Sequence, residues 1–160
     1  MVLLFEMGKI MEYIKALFTN RMFVTPLLAW LTAQLIKVII HLLVHKEFSP
    51  ERLFGDGGMP SGHSATVIAM TTTAAIVYGL GSPVFAISAV LAVIVMNDAV
   101  GVRRETGRHA KRINAIWDRL FSTEISDVEK LKVFVGHSPF QVIIGASLGL
   151  IMALIINLLF

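Results

Sequence analysis

Residues 57–80 read Gly57-Gly58-Met59-Pro60-Ser61-Gly62-His63-Ser64 and then, with little polar interruption, Ala65-Thr66-Val67-Ile68-Ala69-Met70-Thr71-Thr72-Thr73-Ala74-Ala75-Ile76-Val77-Tyr78-Gly79-Leu80. The leading glycines let a backbone approach a ligand closely. Pro60 and Ser61 are residue types that begin helices, proline by its fixed φ in the opening turn and serine by capping free N–H groups. A helix that begins here turns those N–H groups, and the positive end of its dipole, toward the glycine loop, which suits an anion such as phosphate. His63, one turn in, adds a group able to carry a proton near neutral pH. The run behind it is about long enough to span a membrane and is rich in Ala and Thr, small residues that let membrane helices pack closely. A plain helix start after a turn, with His63 merely polar at an interface, would use the same residues. The rest of the chain decides between the two.

The 160 residues are 56% hydrophobic and only 16% charged, with a mean hydropathy of +0.76. An ordinary soluble domain is about a quarter charged. The composition therefore predicts an integral membrane protein, and at this length a single membrane domain over 1–160. With no cysteine there is no disulfide, thiol nucleophile or cysteine metal site. The net charge of +3 suits a membrane-surface or phosphate-handling protein. Nucleic acid is not an expected partner, because the basic residues are scattered between apolar runs and form no nucleic-acid-binding motif.

Outward from the central stretch, the pattern predicts an all-α fold of about four transmembrane helices with interfacial amphipathic helices. Residues 1–20 alternate apolar positions with Glu6, Lys9, Glu12 and Lys15, as an interfacial helix does. The same charges interrupt any signal-peptide core. Residues 22–44 form the first run long enough to span, with Gln34, Lys37 and His41 on one face. A lysine in such a run points to a polar cavity or else snorkels to the headgroups. The second and third runs cover 60–80 and 84–100, separated by the tight turn Gly79-Leu80-Gly81-Ser82-Pro83. Residues 101–136 are a polar and amphipathic connection, in which 127–135 reads as a short helix. The last run, 138–160, carries Gly145 and Gly149 in a small-xxx-small pattern that is more often plain helix packing than a dimer signal. Trp30 and Trp117 read most simply as interfacial anchors. His41, His45 and His109 read as solvated or locally bonded.

Up-and-down connectivity would bring Lys37, His41, His63, Asp98 and His137 to the same membrane face. The connections at that face also hold most of the arginines, which by the positive-inside rule would turn it to the cytoplasm. Phosphoryl transfer needs cations and N–H groups on the equatorial oxygens, an in-line nucleophile, and an acid for the leaving oxygen. One histidine can serve as nucleophile and a second as acid. Arg103 and Arg104 could clamp phosphate oxygens, or bind headgroups as a stop-transfer pair.

Pro60-Ser61-Gly62-His63, followed far downstream by the glycine-led His137, resembles the type 2 phosphatidic-acid phosphatase superfamily, which includes the vanadium haloperoxidases. Gly57–Ala65, Asp98-Ala99-Val100-Gly101-Val102-Arg103-Arg104 and Gly136-His137-Ser138-Pro139 look like its small divergent branch of phosphatase-related membrane proteins. The likeness runs over nearly the whole chain from about Thr25. It implies that Ser61 and Gly62 contact phosphate, that His63 protonates the leaving group, and that His137 is the nucleophile that becomes phosphohistidine. Gln141 occupies the place of the aspartate that orients this nucleophile, and Asp98 or Glu105 is then a candidate for the missing carboxylate. Lys130-Leu131 replaces the family's Ser-Arg pair, so Arg103 and Arg104 would substitute for it. Of the first family motif Lys37 is the counterpart, Val44-His45 replacing its Arg-Pro.

The leading expectation is a metal-independent phosphatase of a phosphorylated lipid, a polyprenyl or glycerolipid phosphate. Its catalytic residues are His137, His63 and Asp98; Lys37, Ser61, Gly62, Arg103 and Arg104 hold the phosphate, with Gln141 orienting. The alternative is a non-catalytic protein that binds an anionic headgroup or carries the lipid across. A magnesium hydrolase built on Asp56, Asp98, Glu105 and a histidine ranks last because no ligand spacing is specific. No metal or other cofactor is expected. The expected location is a bacterial-type inner (plasma) membrane, and the small size admits a homodimer.

Overall fold

The computed structural model describes residues 2–46, 58–120 and 138–160, with the side chains of 2–5, 102–104 and 120 left aside. Outside the described residues fall His137, Asp56, Gly57, the Lys130-Leu131 pair and the segment 127–135. Six helices follow in order: α1 (Val2–Thr19), α2 (Arg21–His45), α3 (Gly62–Tyr78), α4 (Pro83–Val100), α5 (Val102–Leu120) and α6 (Pro139–Leu159).

Each bundle helix starts on a side-chain cap. Asn20, Ser61, Ser82 and Ser138 accept backbone N–H groups in the first turns of α2, α3, α4 and α6, relieving donors that a helix leaves orphaned. Proline follows directly at α4 and α6, where its missing N–H costs nothing. Gly79, at φ +83°, ends α3 in a conformation that a side chain would oppose.

α3 is the centre of the bundle and packs against α2, α4 and α6. Its buried face is made of Gly62, Ser64, Ala65, Val67, Ala69, Thr73 and Ala74. Small side chains there allow backbone-close packing, and Ala29 of α2, Ala69 of α3 and Ala153 of α6 meet at the core. α6 approaches most closely. A Cβ on Gly145 would stand 2.4 Å from the Ser61 carbonyl oxygen, and one on Gly149 would stand 2.3 Å from that of Ala65. Asn157 of α6 donates to the buried Thr73 hydroxyl at 3.1 Å, fixing the far end of the same pair. These pairings run in order, so α3 and α6 are parallel. Thr71 donates to the Ser88 carbonyl at 3.0 Å and joins α3 to α4.

The large apolar residues face outward. Leu43, Ile87, Val93, Ile143 and Leu158 are all at least 60% exposed, while the interior is mostly Ala, Gly, Ser and Thr. Such a distribution is untenable in water and is what hydrocarbon selects. α2, the apolar stretch opening at Pro83, and α6 are long and apolar enough to cross a membrane. α3, with 17 residues, is at the lower limit of length for a span and packs against the other three. The chain is an all-α integral membrane protein. α5 is by contrast polar and strongly amphipathic, with Gly107 and Ala110 on its buried side.

Candidate anion-binding site

The first turn of α3 is where the polar groups gather. Ser61 is fully buried, and its Oγ accepts the Ser64 N–H at 3.3 Å and the Ser64 hydroxyl at 3.0 Å. Both lone pairs are thus used, which leaves this hydroxyl the role of donor. The Ser61 carbonyl accepts the Ala65 N–H at 3.1 Å, and the Ser61 N–H donates to the Gln141 carbonyl at 3.2 Å. Gly62 and His63 supply the first-turn N–H groups that α3 itself cannot pair.

Lys37 comes to this helix end from α2. The residue is only 8% exposed, and its Nζ lies 3.7 Å from where a Cβ on Gly62 would stand. Lys37 thus brings an ammonium to the end of α3 at which the helix dipole is positive, and each of the two favours an anion. Gly62 is required sterically as well, since the same Cβ would also meet the Trp30 ring at 3.4 Å. Gly58, at φ +81°, brings the preceding turn over the stem of Lys37, in a conformation suited to glycine. The Met59–Pro60 peptide is cis.

Beside the cradle an apolar groove of about 510 Å³ runs between α2, α3 and α4, with His63 in its lining. Phe23, Pro26, Trp30, Val67, Met70 and Val95 line the rest of its length. Trp30, expected as an interfacial anchor, is half-buried midway along α2 and borders Gly62. It stands seven residues, two helical turns, before Lys37, and that spacing would have revealed the shared face. Gln34 lies between them and is buried, its Oε1 without a hydrogen-bond partner among the described residues.

The remaining candidates are placed as follows. Asp98 is half-buried in the last turn of α4, one turn beyond Val95. Arg103 and Arg104 lie in the first turn of α5. Glu105 is ion-paired with Arg108 on the exposed side of the same helix. Gln141 closes a capping box on α6: its Oε1 accepts the Ser138 N–H at 2.9 Å, and its own N–H donates to the Ser138 hydroxyl at 3.3 Å. His137, outside the described residues, immediately precedes that cap in the chain. Among the described residues no three His, Asp or Glu side chains cluster as metal ligands.

A small helical membrane protein, with a Pro-Ser-Gly-His turn laid over a buried lysine, belongs to the phosphatase-related membrane proteins in their divergent form. The chain is a member of the divergent PAP2 family, whose model matches residues 18–152. It is 38% identical to YuiD, an uncharacterized membrane protein of Bacillus subtilis (strain 168), over 90% of this chain and 98% of that one. No solved structure matches.

Proposed function

We propose that the chain is a lipid-phosphate phosphatase that hydrolyses a phosphomonoester without a metal. The observation that carries the reading is the Lys37 ammonium beside Gly62 at the N-terminus of α3, two positive ends brought together where phosphate would sit. Ser61, Gly62 and Lys37 hold the phosphoryl oxygens, with Arg103 and Arg104 as further cations. An imidazole nitrogen of His137 attacks phosphorus, the bond to the lipid oxygen breaks, and His63 gives that oxygen its proton. Water then hydrolyses the phosphohistidine and frees inorganic phosphate, with Asp98 the carboxylate nearest in role to the one Gln141 replaces. The apolar groove next to His63 supports a lipid substrate, since its lining suits a hydrocarbon chain. The setting on this reading is a bacterial-type inner membrane, with the basic face toward the cytoplasm.

A second reading is supported by Gln141. Its side-chain oxygen is engaged in the α6 cap, and an amide brings no charge to stabilise an imidazolium. On that reading the same cradle binds or carries an anionic headgroup without turnover.

The test is phosphate release by the purified protein in detergent from polyprenyl and glycerolipid phosphates, with and without EDTA, beside His137→Ala and Lys37→Met. Release that ignores EDTA, is blocked by vanadate and vanishes in both variants is the expected outcome. A folded protein that releases no phosphate from any of them, yet binds the lipids, would reject catalysis in favour of headgroup binding.

A further inference from the structure

We infer that α5 docks on the anionic phospholipid surface of the membrane that the chain itself spans, with Ile113 and Ile116 entering the headgroup layer beside a stripe of cations. The docking is independent of turnover at the cradle. Six lysines and arginines stand on α5 against Glu105 and Asp118, a net charge of +4, where the whole chain has +3. The rest of the chain is close to neutral, and its positive charge is gathered in this one helix. α1, also amphipathic in pattern, balances Lys9 and Lys15 with Glu6 and Glu12.

Three stripes run along α5 at helical spacing. Gly107, Ala110, Asn114 and Trp117 form its buried and half-buried side. Arg108, Lys111, Arg112 and Arg119 recur at i, i+3, i+4 and i+11 on the exposed side, with Arg108 ion-paired to Glu105. Between these two runs a third stripe of His109, Ile113 and Ile116, in which Ile113 is 50% and Ile116 56% exposed. Among the described helices only α4 touches α5. Exposed apolar residues bordered by cations are the pattern of helices that lie on a bilayer. The isoleucines enter the edge of the acyl region, while the long cationic side chains reach the phosphates.

Where α5 begins identifies the partner. Only Gly101 separates it from α4, part of the apolar stretch that opens at Pro83 and is long enough to cross a membrane. Gly101 leaves helical geometry at ψ −81°, so the chain turns off the α4 axis within one residue of its end. A lipid surface is therefore held near α5 at high effective concentration, against which a soluble acidic protein or a nucleic acid must compete. Anionic lipid follows from the balance of forces. Two half-exposed isoleucines bury little apolar surface, whereas each lysine or arginine near an anionic surface favours docking about five-fold. Val95 lines the same groove as His63, so α4 ends where α3 begins. Docked in this way, α5 gathers anionic lipid at the end of the bundle that holds the cradle.

The experiment places a fluorescent NBD label on the full chain in nanodiscs, at a thiol that is unique because the native sequence has no cysteine. The label is attached at Ile113→Cys in the apolar stripe, or at Ala115→Cys, an exposed position within the basic one. Contact with lipid is read by quenching from spin-labelled acyl chains, and contact with water by quenching with acrylamide. With about one-third phosphatidylglycerol in phosphatidylcholine and about 0.1 M salt, the label at 113 is expected to meet the acyl chains and the label at 115 to stay in water. In phosphatidylcholine alone, or at about 1 M salt where the Debye length falls to about 3 Å, the label at 113 returns to water. Lys111→Gln/Arg112→Gln/Arg119→Gln, in which glutamine keeps the helix propensity, lowers the docked-to-undocked ratio roughly 100-fold in the charged nanodiscs. Equal lipid contact at 113 in charged and neutral nanodiscs, or a ratio unchanged in the triple variant, overturns the inference. Shielding of 113 from acrylamide without lipid contact in either nanodisc overturns it too, since protein then covers the stripe.

Discussion

Replacing Gly145 with alanine adds one methyl group at the closest contact between α6 and the cap of α3. Its Cβ would stand 2.4 Å from the Ser61 carbonyl oxygen and 3.0 Å from both the Ser61 nitrogen and its Cβ. Ordinary contact begins near 3.4 Å, and two of the three obstacles are backbone atoms, so no side chain can swing aside. α6 must retreat by about 1 Å at its N-terminal end. Overpacking of this kind costs about 1–3 kcal/mol. The retreat also stretches the 3.2 Å bond from the Ser61 N–H to the Gln141 carbonyl, the one that ties α6 to the cradle. Where reacting groups are displaced by about 1 Å, rates fall on the order of 100-fold. Gly149→Ala meets the Ala65 backbone just as closely, but one turn away from the cradle. The two variants should therefore lose similar thermal stability in detergent, followed by circular dichroism, while Gly145→Ala loses more phosphate release and more phosphate binding. Gly8→Ala, whose Cβ meets nothing within 4 Å inside a helix, should stabilise slightly and serves as control. Native stability and native phosphate binding in Gly145→Ala would refute the close α3–α6 approach from which this reasoning starts.

Lys37→Met should weaken phosphate binding about 10- to 100-fold, the loss expected for one charge-assisted hydrogen bond, as read by titration with inorganic phosphate. Lys37→Arg should recover only part of it, because the bulkier guanidinium must fit beside Gly62 and Trp30. Ser61→Ala should cost about 1 kcal/mol in a reversible unfolding measurement, through the lost cap of α3. Asn157→Leu removes a bond between helices to Thr73, for which roughly 0.6 kcal/mol is the typical worth in a membrane bundle. A variant within error of the native chain would show that this pair does not hold the far end of α6.

What the sequence made legible follows from which signals are local. The membrane class came from composition, and the start of α3 came from Pro60 and Ser61, because capping is decided within four residues. Lys37 stood out because an ionisable residue in an apolar run is costly wherever it points. The partners of Gly145 and Gly149 were not legible: a small-xxx-small pattern announces close approach, but only tertiary packing assigns it to Ser61 and Ala65. Trp30 was obscured by the habit of tryptophan at interfaces, although its seven-residue spacing from Lys37 was in view. His41 and His45 read singly as solvated or locally bonded residues, and the structure shows their rings stacked on each other.

Gln141 is the residue at which the two functional readings part. The family resemblance assigns it an orienting role toward His137, where a carboxylate would stabilise the imidazolium. The fold gives it a different role, because Ser138-Pro139-Phe140-Gln141 is a capping box in which the glutamine oxygen returns to the N-cap nitrogen. An aspartate is one methylene shorter, and glutamate or glutamine is the residue suited to that reach. Gln141→Glu therefore separates the roles, since it keeps the reach and adds the charge. If Gln141 serves the cap alone, the variant keeps native stability and phosphate release is unchanged, while Gln141→Ala loses about 1 kcal/mol of stability. If the position also orients the nucleophile, Gln141→Glu raises release well above native at equal stability. A glutamate that lowers stability while leaving release unchanged would mean that the capping geometry itself has been misread.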